Sequence, residues 1–229
     1  MESTEQVEDD EAVVAPPRKS NPAAKPNRAF DEFRRILNEK APVMSYGWSP
    51  AKVQSCKWLI RRIPEKAVGV DVGGTEYLCK ALKEKGCDIT YFDFVKPAGG
   101  FDKYVEDDMF SIIDHFKERS LDFITTRHTM EHSLVPLFQL WCYNRLLKDD
   151  GKLFVIVPMY APKWVWFGTH FSCLPYDTWT MLFYRAGFKV LATDSGSWKP
   201  SAANFIEYRF ELGVDSRELR LEHRNRPAV

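Results

Sequence analysis

The residues of this chain best suited by type and spacing to move a proton or hold a ligand are three histidines and a glutamate. His128, Glu131 and His132 stand at i, i+3 and i+4, a spacing that shares one helical face, and His170 follows downstream. Imidazole and carboxylate together make a general base, a substrate contact or a metal ligand set. The competing reading is structural, with Glu131 and His132 capping a helix and pinning its neighbours. A second group is built to bind. Gly73 and Gly74 follow a short apolar run, and glycines let backbone approach a ligand where a side chain would block it. About 20 residues later Asp93 ends another apolar run, where a carboxylate can accept both hydroxyls of a ribose. Taken alone, a Gly-Gly pair is also an ordinary turn.

These residues need a scaffold, and the apolar pattern predicts one. The residues from Val68 to Val72 read as a strand, with Leu78, Ala81 and Leu82 on the helix after the glycine turn. A second strand runs from Asp88 towards Phe94, and Lys96-Pro97-Ala98-Gly99-Gly100 is a loop. Val105 to Phe110 reads as a short third strand entering an acidic turn, with a helix over Ser111 to Lys117. Leu121 to Thr126 is the fourth strand and Leu134 to Leu147 a long amphipathic helix, closed by an Asp149-Asp150-Gly151 turn. The run Leu153 to Val157 is apolar throughout, as in a strand buried on both faces. A helix over Tyr176 to Arg185 follows, and strands over Lys189 to Thr193 and Asn204 to Leu212 close the chain. A loop of about ten residues joins those two, predicting an antiparallel edge hairpin. Alternating strands and helices require a parallel sheet with helices on both faces.

The rest of the composition sets bounds. The 229 residues, 45% hydrophobic and 14% aromatic, suffice for one sizeable core with appendages. Lys plus Arg and Asp plus Glu both number 32, so net charge argues for neither nucleic acid nor anionic membrane. Five cysteines without a Cys-x-x-Cys pair predict reduced thiols in a cytoplasmic setting. No apolar run reaches membrane-spanning length. Residues 1–27 carry no apolar period and read as a disordered tail. Residues 28–65 read as two helices, one with Phe30, Phe33, Ile36 and Leu37 on a stripe and one starting at Ser49-Pro50, which either cover the site or simply pack on the sheet. Residues 66–213 form the core, and 214–229 a charged loose end or short helix.

In this order and spacing the motifs resemble the class I S-adenosylmethionine-dependent methyltransferases of the small single-domain type, over about residues 66 to 195. Val70-Asp-Val-Gly-Gly-Thr75 resembles that family's first motif, Asp93 its ribose-binding acid, and Asp107-Asp108-Met109 the acidic turn near adenine. Ser120 through His132, Arg145 through Leu153, His170-Phe-Ser and Ala186-Gly-Phe188 resemble later family blocks. The resemblance implies a Rossmann-like doubly wound α/β fold: a mostly parallel seven-stranded sheet with an antiparallel edge strand and helices on both faces. It implies S-adenosyl-L-methionine as cofactor, held by Asp71, Gly73, Gly74, Thr75, Glu76, Asp93, Phe94, Asp107, Asp108, Met109, Arg127 and His128. It places His128, His132 and His170 at the reacting groups. The glycine loop departs from the family's usual form, with Glu76 where a third glycine is common. A glutamate there either pairs with the cofactor's amino or sulfonium group or crowds the site.

The segment His128 to His132 is also similar to the Glu-x-x-Glu-His metal site of a small-RNA 2'-O-methyltransferase group, with His128 in place of the first glutamate. A Glu-His pair here is common in the broad family without metal, so the resemblance assigns none. The expected acceptor is a small molecule methylated at oxygen or nitrogen. RNA or another macromolecule is the second reading, supported only by the His/Glu cluster and by Arg61, Arg62 and Lys163. A non-catalytic methyltransferase-like binding scaffold is the third. A dinucleotide oxidoreductase is disfavoured by the lack of Gly-x-Gly-x-x-Gly. The loop after the fifth strand brings Tyr160, Trp164, Trp166 and Phe167, either walling a flat or cationic substrate or plugging the first helices.

Overall fold

Strand β1 (Val68–Val72) is short, flanked by Ala67 and Gly73, and buried from Gly69 onward. A strand buried on both faces must pair on both edges and be covered above and below, and the rest of the chain does this. The computed structural model describes Glu32, Arg35, Ile36 and residues 50–97, 99–166, 168–199 and 202–221. The chain divides into two units, Met1–Ser45 and Tyr46–Val229. In the first, Glu32 and Arg35 are helical and joined by an ion pair of 2.6 Å. The expected tail over 1–27, the positions Phe30, Phe33 and Leu37 of the first helix and the Ser49 cap lie outside the described residues.

In the second unit, helix α1 (Pro50–Arg62) precedes β1, followed by α2 (Glu76–Glu84), β2 (Asp88–Asp93) and β3 (Tyr104–Glu106). Next come α3 (Ile112–His115), β4 (Leu121–Arg127), α4 (Pro136–Leu146) and β5 (Leu147–Pro158). The chain closes with α5 (Pro162–Val165), α6 (Tyr176–Arg185), β6 (Phe188–Lys199) and β7 (Ala202–Val214). The seven strands form one sheet in the order β3-β2-β1-β4-β5-β7-β6. Strands β1 to β5 pair in parallel, and β7 runs antiparallel to both β5 and β6. The antiparallel hairpin closes the sheet's edge as expected, with β7 inserted between β5 and β6.

Two cores cover the two faces. On one, Trp58, Leu59, Leu78 and Leu82 of α1 and α2 pack on Tyr91, Phe123, Phe154 and Ile156. On the other, Leu140, Tyr143, Trp179 and Phe183 of α4 and α6 pack on Val70, Ile124, Val155 and Phe210. Strand β5 sends alternate residues to each, and none of Leu153 to Val157 is exposed. Each such burial contributes roughly 2 kcal/mol. All five cysteines are buried as thiols. No helix among the described residues is long and apolar enough to cross a membrane.

Four expectations are revised. The Asp149-Asp150-Gly151 turn is instead extended chain inside β5, absorbed by a register shift between Leu121↔Leu147 and Phe123↔Lys152. The loop expected between the last two strands is mostly ladder, which continues through Ser197↔Ile206 to Lys199↔Ala202. Pairing along the whole of β7 outweighs the turn-forming residues Ser195, Gly196 and Ser197. The helix after β3 stops at His115, because Phe116 turns to extended backbone and brings its ring 6.4 Å from Phe92. Residues 215–221 are neither helix nor loose end. Arg217 donates to the carbonyl oxygens of Asn144 and Leu147 and pairs with Asp149, and Asp215 and Ser216 donate backbone N–H groups to Gly187.

Candidate active site

The strand order reverses direction between β1 and β4, and a crevice opens at the carboxyl ends of strands around such a point. Every residue that the resemblance assigns to the cofactor follows the carboxyl end of a strand or lies within its last residues. Backbone hydrogen bonds stitch these ends together. Gly73 and Gly74 both donate to the Phe92 carbonyl, over 2.9 and 3.3 Å, joining the glycine loop to the end of β2. Asp107 donates to the Asp93 carbonyl over 3.0 Å, joining β2 to the acidic turn. Thr129 Oγ1 donates to the Val72 carbonyl over 3.0 Å, and the His128 N–H to the Ile156 carbonyl over 2.8 Å. The ends of β1 to β5 are thus one connected rim.

Asp71 lies behind the glycine loop, wholly buried. It accepts from the Thr75 N–H and the Thr125 hydroxyl, each over 2.6 Å, and so shapes the loop. Burial raises its pKa above the usual carboxylate range, against those bonds. Gly73 has φ +77°, and a β-carbon there would stand 2.0 Å from Thr129 Oγ1. At Gly74 the β-carbon would meet the Tyr91 ring at 2.2 Å. Both glycines are therefore required by the protein's own packing. Arg127, nearly buried, reaches the Thr75 hydroxyl over 3.3 Å. Glu76 accepts the Gly99 N–H over 2.9 Å and lies 3.6 Å from Lys80, so it braces the loop after β2 from the first turn of α2.

At the tip of β2, burial pushes the Asp93 carboxyl up to about 6, against backbone N–H groups of Val95 and Phe94 that lower it. Phe94 beside it is half exposed. Burial would also raise Asp107, but His115, 2.8 Å away, and the Asp108 N–H outweigh it and hold it low. Asp108 caps the following turn through the Phe110 N–H over 2.8 Å. The Met109 carbonyl accepts from Gln139. His115, without context in the sequence, is placed by this contact.

His128, Glu131 and His132 do not share a helical face. His128 sits at φ +53°, off the end of β4, and Met130–His132 form a 3-10 turn. His128 Nδ1 lies 3.3 Å from Glu131, and Nε2 lies 3.0 Å from Glu207 on β7. Burial disfavours the imidazolium, yet the two carboxylates outweigh it and raise the pKa. His128 thus lies between two carboxylates that favour its charged form. The same charge lowers Glu131 against its burial. Glu207, also bound by Ser55 and Arg209, is held down at about 2 although burial would raise it. His132 turns away, its Nδ1 2.9 Å from the Thr169 carbonyl, and its ring centre is 4.8 Å from that of His170. His170 Nδ1 lies 3.0 Å from the Trp164 carbonyl, and burial lowers its pKa.

In the loop after β5, Tyr160 is half exposed and Trp166 is 88% exposed. Trp164 lies 6.3 Å from His170, and Phe167 is outside the described residues. Sequence reasoning missed Glu207, Ser55, Thr129 and Thr125, each of which acts across at least 50 residues of chain or belongs to a strand or helix with no motif.

No curated protein matches the chain significantly in sequence. Several solved structures match its fold. The 1,6-didemethyltoxoflavin N1-methyltransferase of Burkholderia thailandensis, with 1,6-didemethyltoxoflavin and S-adenosylhomocysteine bound, is 16% identical with a TM-score of 0.61, over 86% of this chain and 94% of that one. A Haloferax volcanii methyltransferase in complex with the Trm112 activator is 15% identical with a TM-score of 0.60, over 82% and 96%. An S-adenosylmethionine-dependent methyltransferase of Archaeoglobus fulgidus is 12% identical with a TM-score of 0.59, over 80% and 99%. The methyltransferase domain family model matches residues 52–193, more than half of the chain. With that match and this fold, the chain belongs to the methyltransferase domain family, as an S-adenosylmethionine-dependent enzyme of class I.

Proposed function

We propose that the enzyme transfers the methyl group of S-adenosylmethionine to an oxygen or nitrogen of a small-molecule acceptor in the cytoplasm. The observation that carries the cofactor site is the stitched rim: the Phe92 carbonyl binds the glycine loop on one side, and the Asp93 carbonyl binds the acidic turn on the other. On this reading Asp93 accepts the ribose hydroxyls, and Asp107, Asp108 and Met109 border the adenine. The backbone of Gly73 to Thr75, with Arg127, lies against the methionine part. Bound S-adenosylmethionine supplies a methyl group on a positive sulfur, so the protein's task is alignment and exclusion of water.

The acceptor end is the other side of the rim, where His132 and His170 stand beside Trp164 of the loop after β5. His170, its pKa lowered by burial, presents a neutral imidazole at the acceptor's place. His128 positions Glu131. The RNA reading loses support from the placement of its basic residues. Arg62 pairs with Glu211, which also binds Lys152 in the first half of β5, whereas Lys163 follows the far end of that strand. Arg62 and Lys163 therefore do not make one stripe.

Calorimetry with S-adenosylhomocysteine tests the reading. Micromolar binding is expected, on the order of 8 kcal/mol. No detectable binding to a folded protein sinks it and favours the non-catalytic scaffold. Transfer of labelled methyl to a metabolite extract and to total RNA then separates the acceptor classes. Label confined to RNA removes the small-molecule assignment.

A further inference from the structure

The sequence alone assigns no metal to this chain, and the three residues that share a helical spacing are not the three that converge. We infer that Glu131, His132 and His170 form a site for a divalent first-row transition metal. A carboxylate oxygen of Glu131 and one ring nitrogen from each histidine all lie within 4.8 Å of one another. An ion at their centre needs only a small inward movement of each side chain to reach bonds of about 2.1 Å.

Three further features fit a ligand set. Glu131 is only 1% exposed, and its Oε2 is buried without a hydrogen-bond partner. A buried carboxylate oxygen left so is costly, and a cation is the partner that would satisfy it. Both histidines have their other nitrogen committed. His132 Nδ1 faces the Thr169 carbonyl and His170 Nδ1 the Trp164 carbonyl. A carbonyl oxygen only accepts, so each Nδ1 carries the proton and each Nε2 presents a lone pair. This outer hydrogen bond is how metal-binding histidines are usually oriented. Finally, the two loops are fastened to one another. Ser172 donates its N–H to the Glu131 carbonyl over 2.8 Å and its hydroxyl to the Ser133 carbonyl over 2.7 Å. The ligands are therefore held together although His132 and His170 come from separate loops.

Two nitrogens and one carboxylate oxygen select Zn²⁺, Mn²⁺, Fe²⁺ or Co²⁺ over Mg²⁺ or Ca²⁺, which prefer all-oxygen shells. Three protein ligands leave coordination positions open. Resting on the proposed methyl transfer, an open position would hold an acceptor hydroxyl or amine and lower its pKa, so that its proton passes to solvent before the methyl group arrives. His128 is not a ligand in this assignment. It stays on the Glu131 side chain as a positioning residue.

The test uses the full chain, stripped with a chelator and titrated with Co²⁺. One equivalent is expected to raise visible d–d absorption. X-ray absorption of the Zn²⁺-loaded wild type should show two imidazoles and no sulfur. Glu131→Gln should weaken Co²⁺ binding at least tenfold, and His132→Ala with His170→Ala should abolish the band in a chain that still melts cooperatively. Absence of any band, sulfur ligation, or a band unchanged in the double variant overturns the site. The wild-type readouts stand if the variants fail to fold. S-adenosylhomocysteine titration of the same samples separates the two claims. Cofactor binding without metal binding refutes the metal alone, and metal binding without cofactor binding refutes the methyl transfer alone.

Discussion

His128 Nε2 lies 3.0 Å from Glu207 Oε2, although 79 residues separate them in the chain. The pair links the end of β4 to β7, and Glu131 faces the other ring nitrogen at 3.3 Å. Glu207 is only 2% exposed and also receives the Ser55 hydroxyl over 2.6 Å and Arg209. The left-handed backbone of His128, rare outside glycine, is held by these contacts.

Breaking a buried ion network leaves uncompensated charge. Glu207→Gln is expected to lower unfolding free energy on the order of 3 kcal/mol in denaturant titration. His128→Asn tolerates the left-handed backbone but loses the charge. The two changes together should cost clearly less than their sum. Strict additivity would show that the residues are neighbours without coupling.

On the ribose assignment proposed for it, Asp93 is expected to make cofactor binding pH-dependent. Its folded pKa of about 6 exceeds the ordinary 3.8. Its contribution to stability is therefore present below about pH 4 and lost as pH rises through 6. Ribose hydroxyls donate to the ionised form, so binding must expel the proton. At pH 6 the calorimetric heat of S-adenosylhomocysteine binding should vary with the ionisation enthalpy of the buffer, and at pH 8 it should not. Asp93→Ala should weaken binding at least tenfold and remove the effect. Unchanged affinity in a folded variant would withdraw the ribose assignment.

Gly73 and Gly100 offer a matched comparison. Both have positive φ, +77° and +62°, but nothing lies within 4 Å of a β-carbon at Gly100. Gly100→Ala should cost only the backbone preference, about 1 kcal/mol. Gly73→Ala must also displace Thr129 and its bond to the Val72 carbonyl. It should lower the thermal midpoint several degrees further and weaken cofactor binding. Equal midpoints for the two variants would mean that Thr129 yields freely.

What could be read from the sequence was local. Val68 to Leu82 declares strand, turn and helix because apolar spacing and two glycines act within a few residues of each other. The run Leu153 to Val157 declares a doubly covered strand for the same reason, and the alternation of such segments implies a parallel sheet. The spacing of Gly73, Asp93 and Asp107 was legible too, because each ends or follows a strand of one sheet. The tertiary structure alone decided which side chains meet. Glu207 sits in a strand with no motif, and only its antiparallel run opposite Pro158 carries it to His128. His132 turned from His128 to His170 because the chain leaves β4 through a left-handed residue instead of a helix. Arg217, one charge in a charged stretch, became a clasp once Asn144 and Leu147 offered carbonyl oxygens at the end of α4. Such contacts join residues 37 to 79 apart, and their energy depends on burial and distance, neither of which has a period in the chain.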